Sequence, residues 1–281
     1  MKKLCLFIST LIAFLLQASI SHAHKNEEHA RSAYIVGIAP QFTIRKIQSI
    51  WRPILNQVEL LSGIHLTLRG SDTITKFESE YMAGNFDFAY TNPYRMMLAG
   101  KTQGYTPLVR DVERLLYGVL VVRKDSPFKN VSELDGKNIA FPAPNAMGAS
   151  LMVRHDLKKI FNININPVYT QTHNSSYLNV VLGKTAAGGG VQKTFNKQKP
   201  IIKDKLRIIH ETAKVPPHAF SVHSRVPKDV AKKIQQALLT IGETEEGKKL
   251  FSNVPIKKIG VATMEEYKPL LNMGLEEFYV D

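Results

Sequence analysis

Residues 34–68 read YIVGIAPQFTIRKIQSIWRPILNQVELLSGIHLTL. The run Tyr34–Ala39 is short, apolar and stopped by Pro40, the pattern of a buried strand. From Thr43 to about Leu61 the apolar residues change spacing: Ile47, Ile50, Trp51, Ile54, Leu55, Val58 and Leu61 recur at three and four. That period places them on one helix face. Pro53 should kink or split this helix, and Ser62-Gly63 should end it. Ile64–Leu68 alternates as a second strand. A helix over Ile74–Ala83 and a third strand, Phe86–Tyr90 (FDFAY), follow. Strand, helix, strand, helix, strand is the signature of an α/β fold with a largely parallel sheet.

The pattern then restarts. Strands are expected at Leu116–Arg123, Asn138–Phe141, Val168–Thr170, Ala186–Val191, Leu206–His210 and Ala219–His223. Helices are expected at Gly148–Phe161, Ser175–Leu182, Asp229–Thr240, Thr244–Asn253 and Met264–Phe278. The C-terminal part has too few strands for a sheet of its own and must pack on an earlier unit. The expected architecture is two lobes joined by two crossing segments: 33–115 with 220–281, and 119–216. Ligands in open α/β folds bind beyond the carboxyl ends of strands, here in the cleft between lobes.

The 281 residues carry 44% hydrophobic and 22% charged side chains, an ordinary globular composition. The N-terminus reads as an export signal, residues 1–23: Lys2 and Lys3, the mostly apolar Leu4–Leu16, and Ser21-His22-Ala23 as the cleavage site. The apolar run is shorter than the ~20 residues of a spanning helix. The single cysteine, Cys5, lies inside this segment, so the mature chain has no disulfide and no thiolate metal site. The formal charge of +13 becomes 13 − 2 = +11 without Lys2 and Lys3. That excess favours an anionic partner. The basic residues are scattered; the densest stretch, Lys193–Lys205, mixes lysine with glutamine, proline and isoleucine and reads as a solvated face without a nucleic-acid motif.

Four loops at expected strand ends carry candidate binding groups. Pro40-Gln41-Phe42-Thr43 could present N–H groups to an anion, with Thr43 as an alternative N-cap. Tyr90, Thr91, Asn92 and Tyr94 gather two phenols, a hydroxyl and an amide within five residues. Pro142–Ser150 (PAPNAMGAS) is a loop of small residues ahead of a helix, with Asn145, Met147, Gly148 and Ser150 as candidates. Thr172-His173-Asn174-Ser175-Ser176 offers His173, Asn174 and Ser175 at another helix start. No HExxH, GxSxG, metal-ligand cluster or paired carboxylate accompanies them, so neither enzyme chemistry nor a cofactor is expected.

Three segments, in order, resemble the periplasmic solute-binding proteins of phosphate/phosphite/phosphonate ABC importers: Gly84–Tyr94 (GNFDFAYTNPY), Val131–Lys137 (VSELDGK) and Thr172–Ser175, the last leading to Leu182–Gly189 (LGKTAAGG). The likeness covers roughly Tyr34–Tyr267. It implies a two-lobed periplasmic binding fold of type II that closes on an oxyanion, with Tyr90, Thr91 and Asn92 facing the ligand from lobe one and His173 from lobe two. It also implies a permease partner in the inner membrane and a monomeric protein. Phosphonate binders place a Ser-Thr-Ser-like run where this chain has Ala146, Met147 and Gly148. Each lost hydrogen bond to a charged group is worth about 1.5–3 kcal/mol, so a fully ionised phosphonate should bind poorly here unless other donors compensate. Met147 suggests a less polar or larger ligand, and a non-phosphorus small organic anion is the alternative. Delivery to a permease and ligand sensing through a membrane kinase both use the same closure, and the residues do not separate them.

Overall fold

The computed structural model describes residues 33–254 and 256–280, so the export-signal reading lies outside the described residues. Eleven strands form two sheets among these residues. The first sheet contains β1 (Tyr34–Ile38), β2 (Leu66–Arg69), β3 (Phe88–Thr91), β4 (Thr106–Asp111), β10 (Ala219–Val222) and β11 (Ile259–Val261), in the order β11-β4-β10-β3-β1-β2. The second contains β5 (Gly118–Arg123), β6 (Asn138–Phe141), β7 (Asn166–Tyr169), β8 (Ala187–Val191) and β9 (Leu206–Glu211), in the order β7-β6-β8-β5-β9. We call the units around these sheets lobe one and lobe two.

Both sheets are mixed rather than largely parallel. β2, β1 and β3 run parallel, as do β7, β6 and β8. β10 runs antiparallel to β3 and β4, and β5 runs antiparallel to β8 and β9. The reversal follows from the chain crossing between lobes twice: each crossing delivers a strand to a sheet without a βαβ return. The crossings themselves pair where Leu116 and Val215 exchange backbone hydrogen bonds of 2.8 and 2.9 Å.

Helix α1 (Ile44–Ser62) runs through Pro53 without being split. Thr43 Oγ1 accepts from the Lys46 N–H, and Gly63 closes the helix at φ 69°, a left-handed turn that suits glycine. Ile47, Ile50, Trp51, Ile54, Leu55 and Val58 are buried against the sheet, whereas Leu61 is about half exposed past the end of that face. Helices α2 (Ile74–Met82) and α3 (Pro93–Gln103) follow. The sequence reading lacks α3 because its Tyr94, Arg95, Met96, Met97 and Ala99 are buried with no single apolar stripe.

In lobe two, the helix expected over Gly148–Phe161 starts as a π-helical turn, Met147–Leu151, and continues as α4 (Met152–Lys159). Next come α5 (His173–Val181), α6 (Gln192–Asn196) and α7 (Pro200–Lys203). Back in lobe one, α8 (Lys228–Glu243) and α9 (Glu245–Asn253) pack on α1. The single helix expected over Met264–Phe278 is broken into α10 (Met264–Tyr267) and two 3-10 turns, Lys268–Asn272 and Leu275–Phe278. Pro269 and Gly274, at φ 65°, lie at the breaks.

The lobes share one apolar cluster. Tyr94, Met96 and Met97 of α3 meet Met147, Leu151 and Met152, with Val215, Tyr267, Leu270 and Leu275 completing it. No helix among the described residues is long and apolar enough to cross a membrane.

Candidate functional site

The site is assembled from strand ends of both sheets. On lobe one, β1 runs into a tight turn in which the Gln41 N–H donates to the Ala39 carbonyl at 2.8 Å. The Ala39 N–H donates to the Tyr90 carbonyl at 2.9 Å, tying that turn to β3. β10 pairs with β3 so that Phe220 lies opposite Tyr90 and Ala219 opposite Thr91. This register brings His218, the residue before β10, to the same edge. Gln41 Nε2 donates to His218 Nε2 at 2.9 Å, a bond that requires a neutral imidazole. The Tyr90 ring lies 5.5 Å from His218 and 4.9 Å from Trp51.

On lobe two, α5 and α6 begin at the ends of β7 and β8. Thr194 Oγ1 lies 3.3 Å from His173 Nδ1 and 2.9 Å from the Tyr177 hydroxyl, and it donates to the Val191 carbonyl at 2.9 Å. The glycine run of β8 makes this possible. A Cβ on Gly190 would lie 1.9 Å from the Tyr177 hydroxyl, and one on Gly189 would lie 2.2 Å from the Ala149 carbonyl oxygen. Only bare backbone lets α5 and the π-helical turn approach β8 this closely.

The two groups face each other electrostatically. His218 is pushed down to about 3 by desolvation, then by the charges of Lys193 and His173. His173 is pushed down to about 4 by desolvation and by Lys193. Lys193 itself is pushed down to about 8, chiefly by desolvation and then by Lys197 and Arg114, with Asp111 acting in the opposite direction. All three side chains keep part of their surface open to solvent. At neutral pH the cleft therefore holds one ammonium and two uncharged imidazoles.

The other sequence candidates have other tasks. Asn92 caps α3, accepting from the Arg95 N–H at 2.8 Å. Tyr94 is buried in the interlobe cluster and donates to Glu276 at 2.9 Å. Asn145 holds the C-terminal segment: its Nδ2 donates to the Val280 carbonyl at 2.6 Å, and its Oδ1 accepts from the Val280 N–H at 3.0 Å. Met147 is buried in the same interlobe cluster, so its thioether reports packing rather than ligand polarity. Gly148 has no room for a Cβ beside Val191, at 2.8 Å. Ser150 is buried and accepts from Arg154 Nε at 3.1 Å.

Thr172, not Ser175, caps α5; Ser175 accepts from the Thr172 hydroxyl at 2.9 Å. Asn174 is exposed and accepts from Gln198 at 2.8 Å. Thr91 is fully buried and its hydroxyl has no partner among the described residues. Gln41, Tyr90 and His173 are thus brought together, with Thr91 adjoining at the end of β3. Lys193, Thr194 and His218 join them, and the sequence reading lacks all three. Lys193 and Thr194 follow directly on a strand end, the position that singled out the other loops.

Two hollows flank this arrangement. A recess of about 20 Å³ is lined by Gln41 and Asn253 together with Ile38, Ala39, Phe42, Trp51 and Tyr90 among others. A larger open groove of about 540 Å³ lies at the opposite strand ends of the second sheet, where β6 and β8 begin, among Arg123, Asp125, Lys137, Lys184 and Thr185. Arg123 is there neutralised by Asp125. That groove draws on one lobe only, so lobe closure cannot act on it.

No three His, Cys, Asp or Glu side chains among the described residues are placed to hold a metal ion. The family model for the periplasmic substrate-binding protein of phosphonate ABC transporters matches residues 36–267. No curated protein sequence matches. Among solved structures, a binding protein component of a phosphonate ABC transporter from Pseudomonas aeruginosa aligns with a TM-score of 0.72 at 14% identity, over 88% of this chain and 87% of that one. A methylphosphonate complex from Prochlorococcus marinus aligns with a TM-score of 0.76 at 12% identity, over 88% and 99%. A chloride-bound protein from Xanthomonas citri aligns with a TM-score of 0.74 at 15% identity, over 88% and 98%. These likenesses agree with the α/β, two-lobed fold described above. By the extent of the family match, the chain belongs to the periplasmic substrate-binding proteins of phosphonate ABC transporters.

Proposed function

We propose that this protein captures a small phosphorus oxyanion in the interlobe cleft and hands it, as a monomer, to an inner-membrane permease without chemically changing it. The observation that carries this reading is the opposition of Gln41, Tyr90 and His218 on one side to His173, Lys193 and Thr194 on the other. An anion held between them is contacted by both lobes at once. Its binding energy then stabilises the closed arrangement over the open one. Lys193 supplies a positive charge at neutral pH, His218, whose Nε2 accepts from Gln41, supplies its Nδ1–H, and both imidazoles can take up protons when an anion arrives.

This set stands in for the hydroxyl run that resemblance leads one to expect at Ala146–Gly148. Those residues are occupied in packing, and the donors come instead from α5, α6 and the segment before β10. A cleaved export signal, a periplasmic working location and the absence of enzymatic activity belong to the same reading.

Trp51 is the only tryptophan in the chain and lies against Tyr90, so intrinsic fluorescence reports on the site directly. Titrating the chain from His24 onward with phosphate, phosphite and methylphosphonate is expected to change Trp51 emission saturably for at least one of them. Silence with all three, and a saturable change with a sulfonate or a carboxylate, would refute the reading.

A further inference from the structure

We propose that the outer face of lobe two, formed by α5 and the segment running through α7, docks on an anionic phospholipid surface. The proposal holds whichever ligand the cleft carries.

The charge of the chain is unevenly divided. Residues 119–216 hold 15 basic and 6 acidic side chains, a net 15 − 6 = +9. Residues 33–115 with 220–281 hold 18 and 16, a net 18 − 16 = +2. Within lobe two the excess is concentrated again: segments 123–125, 178–184 and 197–205 together hold seven basic and two acidic residues.

The fold brings these three segments to one face. Gln198 Nε2 donates to Asn174 Oδ1 at 2.8 Å, which lays the segment after α6 beside α5. Val181 of α5 and Ile202 of α7 pack inward on the same buried cluster, around Tyr177 and Leu206. At the far end of α5, the Lys124 N–H donates to the Lys205 carbonyl at 2.9 Å. Gly183 lies there beside Arg123, whose Nη1 would be 3.6 Å from a Cβ at that glycine.

Three large apolar side chains stand outward on this face: Ile201 is 71% exposed, Leu182 57% and Leu178 43%. Leu178 and Leu182 are one helical turn apart, on the same side of α5. Lys124, Lys184, Lys199 and Lys205 are exposed around them, and none of the four makes an ion pair among the described residues. Of the two acidic residues, Asp125 is held by Arg123, which leaves Asp204 as the remaining negative charge.

Grouped, exposed apolar residues mark an interaction surface. Six of the seven cations in these segments are lysines, flexible point charges rather than planar forks. They suit a layer of mobile headgroups, whose charges can rearrange around them, and each is favoured near an anionic leaflet. The leucines and isoleucine between them suit insertion at the boundary between headgroups and acyl chains.

The test is co-sedimentation of the chain from His24 onward with two kinds of vesicle: phosphatidylcholine alone, and phosphatidylcholine with phosphatidylglycerol in equal parts. Binding is expected to the second only, and to fall as salt is raised. Lys184→Glu with Lys205→Glu is expected to weaken it about tenfold or more, and Leu182→Ser with Ile201→Ser about tenfold. Lys232→Glu with Lys233→Glu, at exposed positions of α8 in lobe one, makes the same change in net charge and is expected to leave binding within about twofold. Each variant is checked for an unchanged melting temperature. Failure of the unsubstituted protein to bind the anionic vesicles would overturn the proposal and point this face toward an acidic protein instead. Equal losses from the two pairs of lysine reversals, or no loss from the apolar pair, would overturn it as well, because the binding would then reflect only the basicity of the whole chain.

Discussion

Replacing Gly190 by alanine tests how the glycine run of β8 builds the lobe-two half of the cleft. The new Cβ would lie 1.9 Å from the Tyr177 hydroxyl, 2.5 Å from its Cζ and 2.7 Å from its Cε1. Comfortable carbon contacts begin near ~3.5 Å, so the ring must retreat by roughly 1 Å. Tyr177 is fully buried among Val119, Val121, Val180, Phe195 and Leu206, which leaves it little room. Overpacking of this kind costs about 1–3 kcal/mol. For a domain of this size each kcal/mol lowers Tm by about 2–4 °C, so a fall of roughly 2–12 °C is expected.

The retreat also pulls the Tyr177 hydroxyl from Thr194, which adjoins His173. Losing one such hydrogen bond, about 0.5–1.5 kcal/mol, should weaken methylphosphonate binding by about twofold to tenfold. Differential scanning fluorimetry and calorimetry read the two effects. Tyr177→Leu in the same background should recover part of the Tm loss, seen as a coupling of about 1 kcal/mol in a double-mutant cycle, without recovering affinity. A Gly190→Ala protein with unchanged Tm and unchanged affinity would refute the reasoning.

Three further outcomes are expected. Because free Lys193 titrates near pH 8 and a bound anion raises that value, oxyanion affinity should hold near neutrality and fall above about pH 8, approaching tenfold per pH unit; Lys193→Gln should flatten that limb in a calorimetric pH series. His173 and His218 bind protons in the unfolded chain near pH 6.5 but in the folded protein only near 4 and 3. Their contribution to stability is therefore complete above about pH 6.5 and is lost as pH falls toward 4, and His218→Gln should show a shallower loss of Tm from pH 7 to 4.5 than the unsubstituted protein. Asn145→Ala removes both hydrogen bonds to Val280 and should destabilise the protein by about 1–3 kcal/mol in urea unfolding, with ligand affinity within about twofold of the starting value if its task is to hold the C-terminal segment.

The residues disclose the fold more readily than the site. β1, α1 and the glycine at 63 are legible because burial imposes a period on the chain and Gly63 occupies a left-handed turn. β4 and β11 are not: β4 (TPLVRD) carries a proline and charged residues, β11 has three residues, and both owe their existence to tertiary pairing.

The site shows the same division. Tyr90 and His173 stand at strand and helix ends, a local feature. His218 reaches Tyr90 only because β10 pairs with β3 across more than a hundred residues of chain. Lys193 heads a basic stretch that reads as solvated surface, and only the ending of β8 at Val191 places it beside Thr194, which adjoins His173. Conversely, Asn145, Met147 and Tyr94 look like ligand contacts in sequence, yet hold the C-terminal segment and the interlobe cluster together. A loop's composition does not say which of two neighbouring surfaces it will face.

The most direct test of the central claim is a crystal structure of the chain from His24 onward grown with whichever of phosphate, phosphite or methylphosphonate binds tightest. The account predicts the oxyanion within hydrogen-bonding distance of Gln41 or His218 on one side and of His173, Lys193 or Thr194 on the other. An oxyanion bound instead in the lobe-two groove among Arg123, Lys137 and Lys184, with the cleft holding none, would contradict it.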